Sequence, residues 1–138
     1  MRDKAIVFTT GEGKLLSARG SAMFFKPTHA STNGAFSFME RTLPPGGRKP
    51  PPHIHADCEE AFYVLEGEIE FCLGADTVLG RPGSFVHVPG GVSHTFGNAA
   101  RHRRVCSSFT RRRWIRTLKS CRSFGPGMFL RAQTMRAC

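Results

Sequence analysis

Two segments of this 138-residue chain carry its most informative pattern: GRKPPPHIHADCEEAFYVLEG at residues 47–67 and GSFVHVPGGVSHTFGN at residues 83–98. His53 and His55 are two positions apart, so on an extended strand both imidazoles leave the same face. Glu60 follows past a short bend, and His94 follows a Pro-Gly-Gly turn. Three imidazoles and one carboxylate form a ligand set suited to a first-row transition metal, and a six-coordinate ion would keep two positions open for water, substrate or oxygen. Open positions are typical of catalytic metal sites.

The spacing of these residues resembles the two motifs of the cupin family. The first motif reads Gly-x5-His-x-His-x4-Glu-x6-Gly and the second Gly-x5-Pro-x-Gly-x2-His-x3-Asn, and all ten fixed positions are occupied here. A His-x-His pair alone is more often strand packing, whereas ten positions in the right order are specific. The resemblance covers about residues 1–98. It implies an all-β fold, the cupin double-stranded β-helix, which is a jelly-roll-like antiparallel barrel.

The residues before position 99 are independently predicted to form many short β-strands. Runs rich in β-branched and aromatic residues are separated by glycine, proline and asparagine. In residues 68–73 the alternation places Ile69, Phe71 and Leu73 on one face, toward a core. With no convincing helical pattern before residue 110, the chain is expected to form an antiparallel barrel or sandwich. The predicted strands span residues 5–9, 22–26, 35–43, 60–65, 68–73, 76–79, 84–88 and 94–96.

Length and cysteine content predict a single cytoplasmic domain. We place the cupin barrel at residues 1–110 and a basic, poorly ordered tail at residues 111–138. The five cysteines are odd in number and lack C-x-x-C spacing, which favours reduced thiols over a disulfide framework or a zinc knot. The apolar run at residues 5–8 is too short for a signal peptide or a membrane span.

The formal charge of +10 is confined to the end of the chain. Residues 1–98 hold nine Lys/Arg against ten Asp/Glu, whereas residues 99–138 hold eleven Lys/Arg and no acidic residue. The basic residues are not interleaved with aromatic residues on a defined sheet or groove, so nucleic acid is not an expected partner.

Neighbouring side chains compete with the four motif residues. Glu59 adjoins Glu60, but only Glu60 satisfies the spacing on both sides, so Glu59 is expected to point outward. His87 could line a cavity and Cys58 could approach the metal, yet a structural histidine and a rim thiol are the simpler interpretations. Gly11 and Gly13 are interpreted as a hairpin turn because no strand-glycine-helix context surrounds them.

The resemblance implies a metal-binding protein with a small-molecule substrate or ligand. Its metal ligands would be His53, His55, Glu60 and His94, and the ion would be a divalent transition metal (Fe, Mn, Ni, Cu or Zn), with no other cofactor-binding residue. The favoured function is a dioxygenase-type oxidoreductase, similar to quercetinase-like cupins, in which Glu60 is both ligand and catalytic base toward an enol or phenolic hydroxyl. Alternatives are a non-redox metal-dependent isomerase or cyclase, and a non-catalytic ligand-binding cupin. A homodimer is the expected assembly.

The composition changes abruptly after Asn98, and we interpret residues 99–138 as the product of a shifted reading frame. Suitable codons for Val105–Phe109, read one nucleotide earlier, encode VLVIH or close variants, an apolar strand that would complete the barrel. The alternative is a genuine basic tail that stays solvated or meets an acidic partner. The source DNA separates the two, because a stop codon early in the shifted frame would exclude the frame-shift interpretation.

Overall fold

The computed structural model describes residues 4–18, 20–46, 49–99 and 104–112, and in the last range Thr110 alone has a described side chain. This part of the chain contains nine β-strands and no helix. The strands are β1 Lys14–Ala18, β2 Ser21–Phe25, β3 Phe36–Leu43, β4 Cys58–Glu66, β5 Ile69–Leu73, β6 Asp76–Gly80, β7 Phe85–Val88, β8 His94–Asn98 and β9 Arg104–Arg112.

The strands form two antiparallel sheets. The larger sheet has the order β1-β2-β3-β9-β4-β7, and the smaller has the order β6-β5-β8. Strand β9 lies between β3 and β4, so the larger sheet depends on a pairing between the end of the described chain and two earlier strands. The predicted all-β cupin fold is confirmed.

The core lies between the two sheets and is formed by alternate residues of the strands. On β4, Phe62 and Val64 are buried while Tyr63 and Leu65 are exposed, which is the period of two expected for a strand with one buried face. The smaller sheet contributes the other wall of the core through Ile69, Phe71 and Phe96. The predicted inward face of residues 69–73 is therefore confirmed at Ile69 and Phe71.

The N-terminal part differs from the sequence-based expectation. Residues 5–9 were predicted as a strand, but the structure has no strand there and instead forms β1 at Lys14–Ala18, paired with β2. The KLLSA sequence of β1 lacks alternation because every residue of this edge strand is exposed. Gly13 precedes it at φ 123°, where a Cβ atom would lie 2.5 Å from the Phe25 carbonyl oxygen. The prediction of a hairpin at Gly11 and Gly13 is therefore wrong, since the turn there does not join two strands.

Two further sequence expectations concern cysteines and membranes. Cys58 is buried and disulfide-bonded, so the expectation that all five cysteines are reduced is wrong. Cys72 is a buried thiol that lies 3.9 Å from the Thr77 hydroxyl.

Within the described ranges no helix is long and apolar enough to cross a membrane. The proposed domain boundary at residue 110 remains a prediction, and residues 113–138 lie outside the described residues.

Phe62 is expected to be a major contributor to stability. Its ring lies 5.3 Å from that of Phe71 and 4.8 Å from that of Phe96, and the residue is 1% exposed. Phe62→Ala should lower the free energy of unfolding by about 3–5 kcal/mol, because it removes buried apolar contacts and leaves a cavity. Leu65→Ala, on the exposed face of the same strand, should change it by about 0.5 kcal/mol or less. Urea unfolding measures both, and equal losses would contradict the assignment of the core.

Candidate metal centre

The two motif segments meet through a pair of backbone hydrogen bonds. The His53 N–H donates to the His94 carbonyl at 3.0 Å, and the His94 N–H donates to the His53 carbonyl at 2.9 Å. His53 lies in the connection between β3 and β4, whereas His94 is the first residue of β8. This isolated bridge therefore joins the connection directly to the smaller sheet.

The turn before His94 packs against the first segment. Gly91 has φ 88°, which is the left-handed region that favours glycine, and its N–H donates to the His55 carbonyl at 2.9 Å. A Cβ atom on Gly90 would lie 3.1 Å from the Ala56 carbonyl oxygen. The two glycines thus allow the turn to approach the histidine segment closely.

The residues before His53 form a strap across the outside of the smaller sheet. The Thr95 hydroxyl donates to the Pro50 carbonyl at 2.5 Å, and Lys49 forms an ion pair with Glu70. The aliphatic part of Lys49 lies over Gly97, where a Cβ atom would collide with it. The proline segment therefore has an extended, externally anchored path that sets the position from which His53 enters the barrel.

The four predicted ligand side chains come together at one end of the core. Their candidate ligand atoms all lie within 4.8 Å of one another. His94 Nε2 is 2.9 Å and His55 Nε2 is 3.6 Å from Glu60 Oε2. The side chains of His94 and Glu60 are 2% and 5% exposed, so this contact is removed from bulk water.

Backbone carbonyls determine the tautomer of two of the histidines. His53 Nδ1 lies 3.0 Å from the Pro51 carbonyl oxygen, and His94 Nδ1 lies 3.0 Å from the Val92 carbonyl oxygen. A carbonyl oxygen only accepts, so each Nδ1 must carry the proton and donate it. In the neutral imidazole, Nε2 then presents its lone pair to the cluster. Metal-ligating histidines commonly donate their second ring N–H in this way, which fixes the tautomer and the orientation of the ring.

The electrostatics of the cluster are dominated by Glu60. Burial alone would raise the pKa of this carboxyl group, but hydrogen bonds from His55 and His94 outweigh burial and lower the pKa to about 2. Burial acts in the opposite sense on His94, yet its hydrogen bonds to Glu60 and Val92 raise the pKa overall. For His53, burial prevails and lowers the pKa. The cluster therefore keeps a buried negative charge that favours a cation beside it.

The donor set fits a divalent transition metal. With His94 Nδ1 donating to Val92, a neutral His94 would place its Nε2 lone pair 2.9 Å from a carboxylate oxygen, and two acceptors at that distance repel each other. Either a second proton or a metal cation removes the repulsion. Nitrogen and carboxylate ligands of this kind suit Fe, Mn, Ni, Cu and Zn. The four residues could therefore hold a metal ion.

The neighbouring residues Glu59 and His87 are not part of the cluster. Glu59 and His87 face outward and lie 3.4 Å apart, so the predicted outward orientation of Glu59 is confirmed. His29 lies in the 26–35 connection, and its Nδ1 is a buried atom with no partner in the described part of the chain. His102 lies outside the described residues.

Two buried hydroxyl residues near the cluster had no sequence signal. Ser37 and Thr110 face the same side of the larger sheet as Glu60, because Thr110 pairs directly with both. They belong to neither motif, and their proximity to Glu60 follows only from the strand register.

In the metal-free protein, the stability that His94 contributes is expected to decline as pH rises. The raised folded-state pKa of His94 makes this contribution complete below the unfolded value of 6.5, and the contribution is lost as pH rises through the folded pKa. The lowered pKa of Glu60 contributes above 4.5, and this stability is lost as pH falls toward about 2. Urea unfolding in chelator from about pH 5 to pH 8 measures the slope.

A bound ion should make the stability of the protein rise with pH between about pH 5 and pH 8, because the imidazoles must be deprotonated to act as ligands. His94→Gln should remove both effects, and His87→Gln on the outer face is the matched control. An unchanged slope in His94→Gln would contradict the assigned interaction.

Comparison with known proteins agrees with this architecture. The family model for the cupin domain (Cupin_2) matches residues 39–104. Over 90 residues the chain is 29% identical to quercetin 2,3-dioxygenase of Bacillus subtilis (strain 168), in an alignment that covers 65% of this chain and 26% of that protein. The chain thus spans about a quarter of the length of this relative.

Two solved structures share the fold. The cupin domain of Cnp3 from Schizosaccharomyces pombe has a TM-score of 0.68 and 15% identity, covering 79% of this chain and 75% of that one. A predicted oxalate decarboxylase from Thermotoga maritima has a TM-score of 0.66 and 23% identity, covering 79% of this chain and 99% of that one. Together with the two antiparallel sheets, these likenesses show that the described part of the chain has an all-β cupin fold, and residues 39–104 within it match the cupin domain model.

Proposed function

We propose that the protein binds one divalent transition-metal ion per chain through His53, His55, Glu60 and His94. We further propose that the loaded protein is a dioxygenase-type oxidoreductase acting on a small enol or phenolic substrate. The observation that carries this proposal is the buried contact of 2.9 Å between His94 Nε2 and Glu60 Oε2, with the other nitrogen of His94 already used as a donor. The distant likeness to quercetin 2,3-dioxygenase supports the choice of an oxygen-dependent reaction.

A bound ion would supply Lewis acidity and electron exchange with molecular oxygen. The chain supplies the remaining requirements. The carbonyls of Pro51 and Val92 orient two imidazoles, and the buried position of the cluster excludes bulk water. These contacts hold the groups in position before a substrate arrives, which reduces the reorganisation that the reaction requires.

Glu60 is proposed to accept the proton of a substrate hydroxyl at a carboxylate oxygen. The pKa of about 2 belongs to a carboxylate that receives hydrogen bonds from both His55 and His94. A neutral His94 whose only proton is on Nδ1 cannot donate from Nε2, so Glu60 is a stronger base when the imidazoles are neutral.

The same cluster could support non-redox catalysis of an isomerase or cyclase type, or ligand binding without turnover. The buried carboxylate and imidazoles serve a Lewis-acid reaction as well as an oxygen-dependent one. An oxygen-electrode screen of the loaded protein over flavonols and diketones separates these classes. Turnover without oxygen consumption would exclude the dioxygenase and retain the isomerase or cyclase.

A homodimer is proposed on the basis of exposed apolar surface on the larger sheet. Tyr63 and Phe85 are directly paired on β4 and β7, and with Leu65 they are 47%, 66% and 47% exposed respectively. Strand β7 is an edge of this sheet, so the patch adjoins an edge that a second copy could cover. Sedimentation at micromolar concentration tests this proposal, and a monomer would contradict it.

Protein purified without a histidine tag should contain about one divalent transition ion per chain. Replacing His53, His55 and His94 together by alanine should reduce this ratio to near zero, since it removes the three nitrogen donors. Elemental analysis by mass spectrometry gives the ratio. His87→Ala, which removes an outward-facing histidine, should retain the ion, and an unchanged ratio in the triple variant would refute the site.

Glu60→Gln should lose more turnover than metal. The amide can still coordinate through its oxygen but cannot accept a proton at neutral pH, so turnover should fall by about 100-fold or more. Glu59→Gln is the matched control, because its carboxylate faces outward. If Glu60→Gln loses metal and turnover in parallel, Glu60 is a metal ligand but not the base. If Glu60→Gln keeps full activity, Glu60 has neither role.

A further inference from the structure

A row of three polar side chains crosses the inner face of the larger sheet at the metal end of the barrel. Thr110 on β9 pairs directly with Glu60 on β4 and with Ser37 on β3. Directly opposed residues of antiparallel strands point to the same face, with Cβ atoms about 5 Å apart. Glu60 faces the interior, so Ser37 and Thr110 face it too. We call Ser37, Thr110 and Glu60 the polar row.

The two hydroxyl residues lie on the buried face of the sheet, and their hydroxyl groups are not used in bonds within the described part of the chain. Ser37 is 6% and Thr110 is 5% exposed, and within the described part of the chain neither hydroxyl has a hydrogen-bond partner. Other buried hydroxyls are satisfied, since Ser21 donates to the Thr42 carbonyl and Thr95 to the Pro50 carbonyl. The hydroxyls of Ser37 and Thr110 therefore keep hydrogen-bonding capacity that water can meet and that an oxygen atom of a ligand could meet instead.

The hydroxyl oxygens remain reachable from the barrel interior. Among the described residues, His29 Nδ1 is the side-chain atom that is both fully inaccessible and without a partner. Ser37 and Thr110 are not in that condition, so their hydroxyl oxygens keep some accessible surface. Both can therefore meet the atoms of a small molecule that enters beside the histidine cluster.

The chemistry of the row selects the kind of molecule. Each hydroxyl both donates and accepts, whereas the ionised Glu60 only accepts. No cation is present among the side chains of this row; Arg41 also faces the interior but lies two rows along β3, over the ring of Phe96 and bonded to Ser21. The adjacent row places Met39 and Phe62 on the same inner face, and both are buried apolar residues. Such a surface suits uncharged oxygen atoms on an apolar frame better than a carboxylate.

We propose that Ser37 and Thr110 form an oxygen-recognition subsite for a small uncharged substrate that carries at least two hydroxyl or carbonyl oxygens. One oxygen occupies the histidine and Glu60 cluster, and another bonds to a hydroxyl of the polar row. This proposal rests on the proposed metal-binding function and specifies the substrate class of that site. It takes Thr110 as a genuine residue of β9, which is the alternative to a shifted reading frame. Ser37 and Thr110 then determine specificity without being metal ligands.

The test uses the full chain loaded with cobalt(II), whose visible spectrum reports on its surroundings, with catechol as the two-oxygen probe under anaerobic conditions. Thr110→Val and Ser37→Ala should each weaken catechol binding by about 2- to 12-fold, which is the worth of one neutral hydrogen bond. Thr110→Ser should retain binding. Cobalt affinity and phenol affinity should not change in either variant, because phenol has a single oxygen and the ligand cluster is intact.

Thr42→Val is the matched control, since Thr42 lies on β3 with its side chain on the opposite face from Ser37. Urea unfolding checks that each variant is folded, and Ser37→Ala serves as the independent variant if Thr110→Val does not fold. Oxalate is the charged comparison probe. It should bind the loaded wild-type protein, if at all, with an affinity that the hydroxyl variants do not change.

The possible failures are distinguishable. Cobalt and catechol binding that is unaffected by Thr110→Val and Ser37→Ala would overturn the subsite and leave the metal site standing. Loss of cobalt in Thr110→Val would make the hydroxyl a support of the ligand cluster and would overturn its role in substrate recognition. A parallel loss of oxalate affinity would overturn the uncharged class. A wild-type protein that takes up no cobalt would refute the proposed function, and the subsite with it.

Discussion

The paired backbone hydrogen bonds between His53 and His94 are the constraint on which the rest of the site depends. They join the connection between β3 and β4 to the first residue of β8 in the smaller sheet. Because both partners of the bridge are also members of the side-chain cluster, main-chain geometry positions two imidazoles at once. The strap at Lys49–Pro52 and the turn at Gly90–Gly91 then restrict the two segments on either side of the bridge.

The positions of the four cluster residues could be predicted from the sequence because each motif is local. His53, His55 and Glu60 lie within eight consecutive residues, and the turn at Gly91 directs His94 toward them. Apolar alternation likewise located the inward face of β5. Both patterns depend on neighbours along the chain, so they can be recognised without knowledge of the tertiary structure.

The features that escaped prediction depend on contacts between distant residues. Strand β1 is fully exposed and so has no alternation, although its pairing with β2 makes it a strand. Ser37 and Thr110 are isolated polar residues in sequence, and only the register of β9 against β3 and β4 brings them into line with Glu60. The burial of Cys72 and Thr95 on the outer side of the smaller sheet reflects the same limitation, since the strap that crosses that side is distant in sequence. The disulfide at Cys58 also could not be inferred from spacing alone.

The central position of β9 has a consequence for how the chain folds. The larger sheet is divided by this strand into a β1-β2-β3 meander and a β4-β7 pair, which have no direct pairing with each other. Strands β3 and β4 cannot pair with β9 until residues 104–112 have been synthesised. Each of the two therefore exposes an unpaired backbone edge during translation. Pairing β9 with β3 and β4 closes long loops, and the entropy of that closure is lost before the strand pairing can compensate for it. Contacts between residues so distant in sequence give a high contact order, so we expect this domain to fold slowly for its size. The nascent chain is therefore most vulnerable to intermolecular strand pairing just before β9 emerges.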